Sequence, residues 1–284
     1  MGRLSGCRVS LKGDRVELKK FGRRRKGCSR RYLVAVLLPA VIVAGCGGGS
    51  STQSTSKSTT TSSTTKTSKA QTTADRAIAS QALLRLSDFP AGWTQTPPEG
   101  GKQPQLAAEV AACLHVSASL LEETSPTEVE SPKFQEAAGN SVENSVTVVP
   151  TSATAAKYVD VFKEAQAPSC LATAVTKLLA ADEQKEGGKL PAGSSFGAAS
   201  VETMSFPAEG DQSIAYRISL PFKTKTLTIT FYLDAILVQV ERAYTSLTFT
   251  GVGSPIAAAT EESLVKLTVE RLREALAAGS STAS

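Results

Sequence analysis

The chain has 284 residues, with 31 basic and 26 acidic side chains and a net charge of +5. Residues 1–31 carry 12 Lys or Arg against two carboxylates, whereas the rest of the chain carries 19 basic and 24 acidic side chains. The basic character belongs to a leader, and the acidic remainder argues against nucleic-acid binding because it repels phosphate. An apolar content of 41% excludes a fully disordered chain and a polytopic membrane protein.

Residues 1–45 have the organisation of a signal peptide. A basic cluster at 23–31 precedes a charge-free run from Tyr32 to Gly45. This run is too short to span a bilayer, which needs about 20 residues, but it fits the apolar region of a secretory signal. The segment 29–34, Ser-Arg-Arg-Tyr-Leu-Val, also resembles a twin-arginine export signal, with the general secretory route as the alternative.

The apolar run ends in Val43-Ala44-Gly45-Cys46. These residues resemble the lipobox of bacterial lipoproteins, in which small residues precede a cysteine that is lipidated and becomes the mature N-terminus. The resemblance implies cleavage between Gly45 and Cys46, a diacylglyceryl group on Cys46, and further acylation such as palmitate. It also implies a lipid-anchored protein on the extracytoplasmic face of the cell membrane. An uncleaved anchor or ordinary cleavage nearby is the alternative.

Residues 46–74 are predicted to be the lipidated cysteine and a flexible linker. Positions 47–74 contain 18 Ser or Thr among 28 residues and no large apolar side chain. Such a segment cannot offset the entropy of ordering by burying apolar surface. A flexible chain of this length has a root-mean-square reach of about 30 Å, so it would hold a folded domain off the lipid surface.

Residues 75–279 are predicted to form an α+β domain, followed by a disordered tail at 280–284. Apolar spacing predicts helices over 75–87, 104–115, 151–165, 168–182 and 254–277, with Asp75 and Thr151 as caps of the first and third. Alternating patterns predict strands at 141–149, 196–206, 212–222, 226–240 and 243–250. This order predicts an antiparallel sheet of about five to six strands with helices packed on it.

The stretch 226–240 has a change of apolar parity. The apolar positions are odd from Leu227 to Leu233 and even from Ile236 to Val240. A slip of one residue predicts a β-bulge near 234–235.

The sequence contains five cysteines. Cys7 and Cys28 leave with the leader, and Cys46 is assigned to lipid, which leaves Cys113 and Cys170. Outside the reducing cytosol, an isolated pair most simply forms a disulfide. Two unpaired buried thiols are the alternative.

Short segments spread over residues 83–251 carry a family resemblance. They are Leu83-Leu84, 86–93 (Leu-Ser-Asp-Phe-Pro-Ala-Gly-Trp), Cys113-Leu114, 169–171, 210–213 and 247–251. This pattern resembles a group of exported actinobacterial lipoproteins and the extracellular sensor domains of some receptor Ser/Thr kinases from those bacteria. The resemblance implies an α+β sensor-like or ligand-binding module. The chain departs from it in lacking a kinase domain and in having one cysteine pair where some relatives have two.

Motifs for catalysis are weak. His115 is the only histidine, which argues against a multi-histidine metal site. The segment 193–197 matches the Gly-x-Ser-x-Gly pattern of serine hydrolases, but no histidine follows it. Trp93 is expected to be a plug over the core, with a ligand platform as the alternative.

Acidic pairs could serve glycoside hydrolysis, but their polar or helix-end contexts predict solvated surface. These pairs are Glu122-Glu123, Glu128 with Glu130, Asp182-Glu183 and Glu261-Glu262.

We therefore expect no enzymatic activity, no metal and no cofactor. The sequence predicts a monomeric, membrane-anchored lipoprotein that binds or senses a small apolar or cell-envelope ligand, and it identifies no ligand-binding residue. The alternative is an interaction or scaffolding module of the envelope.

Overall fold

The computed structural model of the chain describes residues 69–98, 104–121, 127–185 and 193–281. The predicted signal peptide, Gly45, Cys46 and most of the predicted linker lie outside these residues. The described helices are α1 (Lys69–Ala82), α2 (Pro104–Leu114), α3 (Ala118–Leu121), α4 (Ser152–Val161), α5 (Ala167–Lys185) and α6 (Ala258–Ser281), with a 3₁₀ turn at Leu86–Asp88.

The strands in the described part are β1 (Thr94–Thr96), β2 (Val129–Glu130), β3 (Lys133–Gln135), β4 (Ser141–Val148), β5 (Ser195–Phe196), β6 (Ser200–Thr203), β7 (Gln212–Lys223), β8 (Thr228–Val240) and β9 (Ala243–Val252). The α+β class with an antiparallel sheet is confirmed. The strand count exceeds the predicted five to six because several strands have only two to four residues. Segments this short carry too few alternations to be recognised from sequence.

The strands form one sheet in the order β1-β3-β4-β9-β8-β7-β5, with β2 also paired to β4 and β6 to β7. Strands β7, β8 and β9 form a continuous meander. Strand β4 joins the N-terminal part of the sheet to this meander by pairing with β9 along its whole length.

Helices cover both faces of the sheet. On one face, α1 and α6 pack against strand residues such as Val142, Ile236 and Leu247. On the other face, α2, α4 and α5 pack against Tyr216 and Leu237. The middle of the sheet is therefore buried on both sides.

The predicted bulge in β8 is wrong. Strand β8 pairs with β7 and β9 in an unbroken register, from Thr228 to Val240 on the β7 side. The parity change arises because both faces are covered at one end of the strand, where Ile236 and Leu237 are buried on opposite sides. At Asp234, a carboxylate occupies a buried position on the face that carries Ile236.

Helix α1 begins at Lys69, before the predicted start. Asp75 therefore lies inside the helix instead of capping it, and it is buried. Its Oδ1 accepts hydrogen bonds from Gln71 Nε2 and Arg242 Nη2, both at 2.8 Å. The predicted cap of α4 is confirmed, because Thr151 Oγ1 accepts from the backbone N–H of Thr154.

Candidate functional site

The predicted disulfide between Cys113 and Cys170 is confirmed. It links α2 to α5, with the two Cα atoms 5.6 Å apart, a normal separation for a disulfide. Both helices pack on the same face of the sheet. Gly45 and Cys46, the residues predicted for cleavage and lipidation, lie outside the described residues.

Within the described ranges, no helix combines the length and the apolar character needed to cross a membrane.

The hydrolase-like motif does not form a nucleophile elbow. Ser194 precedes the short edge strand β5, and the chain continues into strand β6, whereas the elbow needs a strand followed by a helix. The buried Ser194 Oγ has no hydrogen-bond partner among the described residues, so no described base activates it. His115 lies at the end of α2 with a φ of 57°, a left-handed conformation common after a helix.

Two charged side chains form an ion pair on the sheet face covered by α6. Arg217 of β7 and Asp234 of β8 are direct cross-strand partners. Arg217 Nε donates to Asp234 Oδ1 at 2.7 Å, and Arg217 Nη2 donates to Asp234 Oδ2 at 2.6 Å. The Asp234 side chain is 1% exposed. Its hydrogen bonds raise the pKa of Arg217, so the guanidinium remains charged.

Glu261, in the first turn of α6, faces this ion pair. Its side chain is fully buried, and no N–H donor in the described part of the chain reaches either carboxyl oxygen. Burial and the neighbouring Asp234 carboxylate raise the pKa of Glu261 to about 8, against a smaller opposing effect of Arg217. Glu261 is thus mostly a neutral acid at pH 7, and its proton can be donated to Asp234.

The prediction that Glu261 and Glu262 both lie on the solvated surface is confirmed for Glu262, which is exposed, and wrong for Glu261, which is buried. Glu261 begins the stripe of α6 that continues through Leu264, Val265 and Val269, all buried against the sheet. The helical spacing contained this signal, because positions i, i+3, i+4 and i+8 share one face.

Arg217, Asp234 and Glu261 form an acid cluster. Both of its carboxyl groups are buried away from solvent. No substrate can reach these oxygens in this conformation. The cluster therefore consists of a buried protonated acid next to a buried ion pair. The described residues contain no group of three His, Cys, Asp or Glu side chains suited to a metal ion.

Trp93 is the outermost ring of a three-ring stack. The Phe89 and Trp93 centroids are 4.7 Å apart, and those of Phe89 and Phe134 are 4.5 Å apart. Phe134 is fully buried, whereas Trp93 is partly exposed and packs against the core. This geometry agrees with a plug over the core.

The segment 86–93 is also fixed by an ion pair to α6. Arg271 donates to both carboxylate oxygens of Asp88 at 2.7 Å and to the backbone oxygen of Leu83 at 3.2 Å. Although burial opposes ionisation, the hydrogen bonds from Arg271 and the Arg85 backbone lower the pKa of Asp88. The motif that carried the family resemblance therefore has a structural role.

An aromatic face lies at the end of the sheet where β7 turns into β8. Phe196 of β5 pairs with Phe222 of β7, and their ring centroids are 4.9 Å apart. Phe231 of β8 lies 6.2 Å from Phe222. All three rings are partly exposed. Sequence periodicity did not identify this face, because it forms only when three strands are in register.

No protein-family model and no curated protein matches this chain. Among solved structures, the chain is similar to the extracellular domain of PknH from Mycobacterium tuberculosis. The identity is 10%, the match covers 70% of this chain and 96% of that chain, and the TM-score is 0.36. This likeness is too weak to assign a function.

Proposed function

We propose that the protein is an extracytoplasmic lipoprotein, anchored by lipid on Cys46, whose domain binds or senses a ligand without enzymatic activity. The observation that carries this proposal is Val43-Ala44-Gly45-Cys46 placed directly after a basic segment and an apolar run. Two or more acyl chains would hold the protein stably to a membrane, since each buried methylene adds about 0.8 kcal/mol.

Two features of the domain support this proposal. The Cys113–Cys170 disulfide suits an oxidising compartment outside the cytosol. The acid cluster and Ser194 are the described groups most suggestive of chemistry, but the first is sealed and the second has no described base. Neither group therefore supports a catalytic role.

The anchor is tested by a Cys46→Ala substitution in a bacterial host fed an alkyne analogue of palmitate. We expect the unsubstituted protein to be labelled, to fractionate with membranes and to begin at Cys46. The substituted protein should be unlabelled and remain uncleaved, because the modified thiol is absent. A Cys28→Ala control should behave like the unsubstituted protein. Labelling that persists in Cys46→Ala would contradict the proposal.

The binding role is tested by mass spectrometry of small molecules that remain with the natively extracted protein. We expect one apolar or envelope-derived compound to be recovered in constant ratio to the protein. Consistent recovery of none would count against binding.

An envelope interaction module is a second candidate. The partly exposed rings of Phe196, Phe222 and Phe231 favour it, because a cluster of exposed aromatic rings suits a macromolecular partner. An envelope partner lost specifically on Phe222→Ser, with no small molecule recovered, would favour this candidate.

A further inference from the structure

The turn between β7 and β8 is held by its own hydrogen bonds. The Thr224 backbone N–H donates to Leu227 O at 2.7 Å, and the Leu227 N–H donates to Thr224 Oγ1 at 3.0 Å. Leu227 is nevertheless 55% exposed, more than any other large apolar side chain in the described ranges. The turn therefore presents an apolar side chain to solvent from an ordered backbone.

Two basic residues precede Leu227 in the same hairpin. Lys223 and Lys225 are both exposed, and no acidic residue occurs between Arg217 and Asp234. Neither lysine forms an ion pair with a described carboxylate. Residues 75–284 as a whole carry 16 basic and 24 acidic side chains, so the positive charge of this hairpin contrasts with the acidic composition of the domain.

We propose that this end of the sheet, the β7–β8 tip formed by Lys223, Lys225, Leu227 and the adjacent ring of Phe222, docks on the anionic phospholipid surface of the membrane. The lysines complement negative headgroups, while Leu227 and Phe222 enter the boundary between headgroups and acyl chains. The inference rests on the proposed lipid anchor, which keeps the tip near a bilayer.

The linker is long enough for this contact. The β7–β8 tip lies at the opposite end of β8 from the β8–β9 turn, where Arg242 contacts Asp75 of α1. The 13 residues of β8 span about 40 Å. The chain from Cys46 to Lys69 can extend to about 75 Å. The domain can therefore lie with its tip on the membrane that holds its other end.

The test uses the mature lipidated protein in vesicles of phosphatidylcholine containing one-third phosphatidylglycerol. A Thr226→Cys variant carries an environment-sensitive fluorophore at the β7–β8 tip, and Glu270→Cys on the exposed side of α6 is the matched control. We expect lipid-borne quenchers to quench the label at 226 and not at 270, and pure phosphatidylcholine to abolish this difference. Vesicle flotation reports anchoring separately.

Two further changes test the cause of the contact. The substitutions Lys223→Gln and Lys225→Gln remove the two positive charges. Each should lower the ratio of membrane-docked to undocked protein roughly fivefold, whereas the control Lys266→Gln on α6 should not. Deleting residues 50–63 shortens the linker to about 30 Å, below the length of β8, and should abolish quenching without affecting flotation.

Equal quenching at the two labels, or quenching that the lysine substitutions leave unchanged, would overturn the inference while the anchor stands. A protein that fails to float would overturn the anchor, and with it this inference.

Discussion

Glu261 is an acid that the fold keeps mostly neutral at pH 7. Its carboxyl group is fully buried beside the carboxylate of Asp234, which already accepts two hydrogen bonds from Arg217. Loss of the Glu261 proton would place a second negative charge next to the first, with one guanidinium to balance both. The stability of the domain should therefore depend on this proton.

We expect the free energy of unfolding to fall as the pH rises from about 5 to about 8. The pKa of Glu261 is about 8 in the folded protein against an ordinary value of 4.5. The stabilisation is thus fully present below the pKa of Glu261 in the unfolded chain, and it is lost as the pH rises through the pKa in the folded protein. One proton gives a slope of at most about 1.4 kcal/mol per pH unit.

Urea unfolding of Glu261→Gln checks this expectation, because the amide resembles the protonated acid. The free energy of unfolding should fall less steeply with pH in this variant, and at pH 8 it should be higher than in the unsubstituted protein. Glu262→Gln, on the exposed neighbour, should keep the original slope. A slope that survives in Glu261→Gln would show that another group binds the proton.

At the scale of elements, the disulfide fixes α2 to α5. The loop between Cys113 and Cys170 has a sequence separation of 57 residues. We expect the double substitution Cys113→Ser and Cys170→Ser to lower the free energy of unfolding by about 4 kcal/mol, chiefly by releasing the unfolded chain. Denaturant melts of the oxidised protein and the double variant measure this difference. Equal stabilities would contradict it.

The elements differ in how far sequence could predict them. The cap of α4 followed from Thr151 and its local hydrogen bond. The sequence placed Glu261 on the apolar stripe of α6, but it did not predict burial there, because helical spacing does not show that the first turn of α6 docks on the sheet. The predicted bulge in β8 was wrong because the sequence of a single strand does not show that helices cover both faces of the sheet.

At the scale of the whole molecule, the predicted linker and the described domain should differ in protease resistance. Lys57 and Lys66 lie in the Ser/Thr-rich segment before α1. We expect trypsin to cleave the protein after these lysines first and, given the proposed anchor on Cys46, to release a disulfide-linked domain from the membrane. Mass spectrometry should find a fragment that begins at Ser58 or Thr67.

The double variant Lys57→Gln and Lys66→Gln is the control, and it should stay bound to membranes for longer under the same digestion. Earlier cleavage inside the domain would contradict the predicted contrast.

The pairing of β4 with β9 has a consequence for the order of folding. Ser141 pairs with Thr250, so the edge of β4 that faces β9 has no partner until nearly the whole chain has been delivered. Contacts over such sequence separations form slowly, whereas both cysteines of the disulfide emerge well before β9. In a chain exported unfolded by the general secretory route, the Cys113–Cys170 bond can therefore close before the sheet does. Helix α6 follows β9, and its docking would be the late step that buries Glu261.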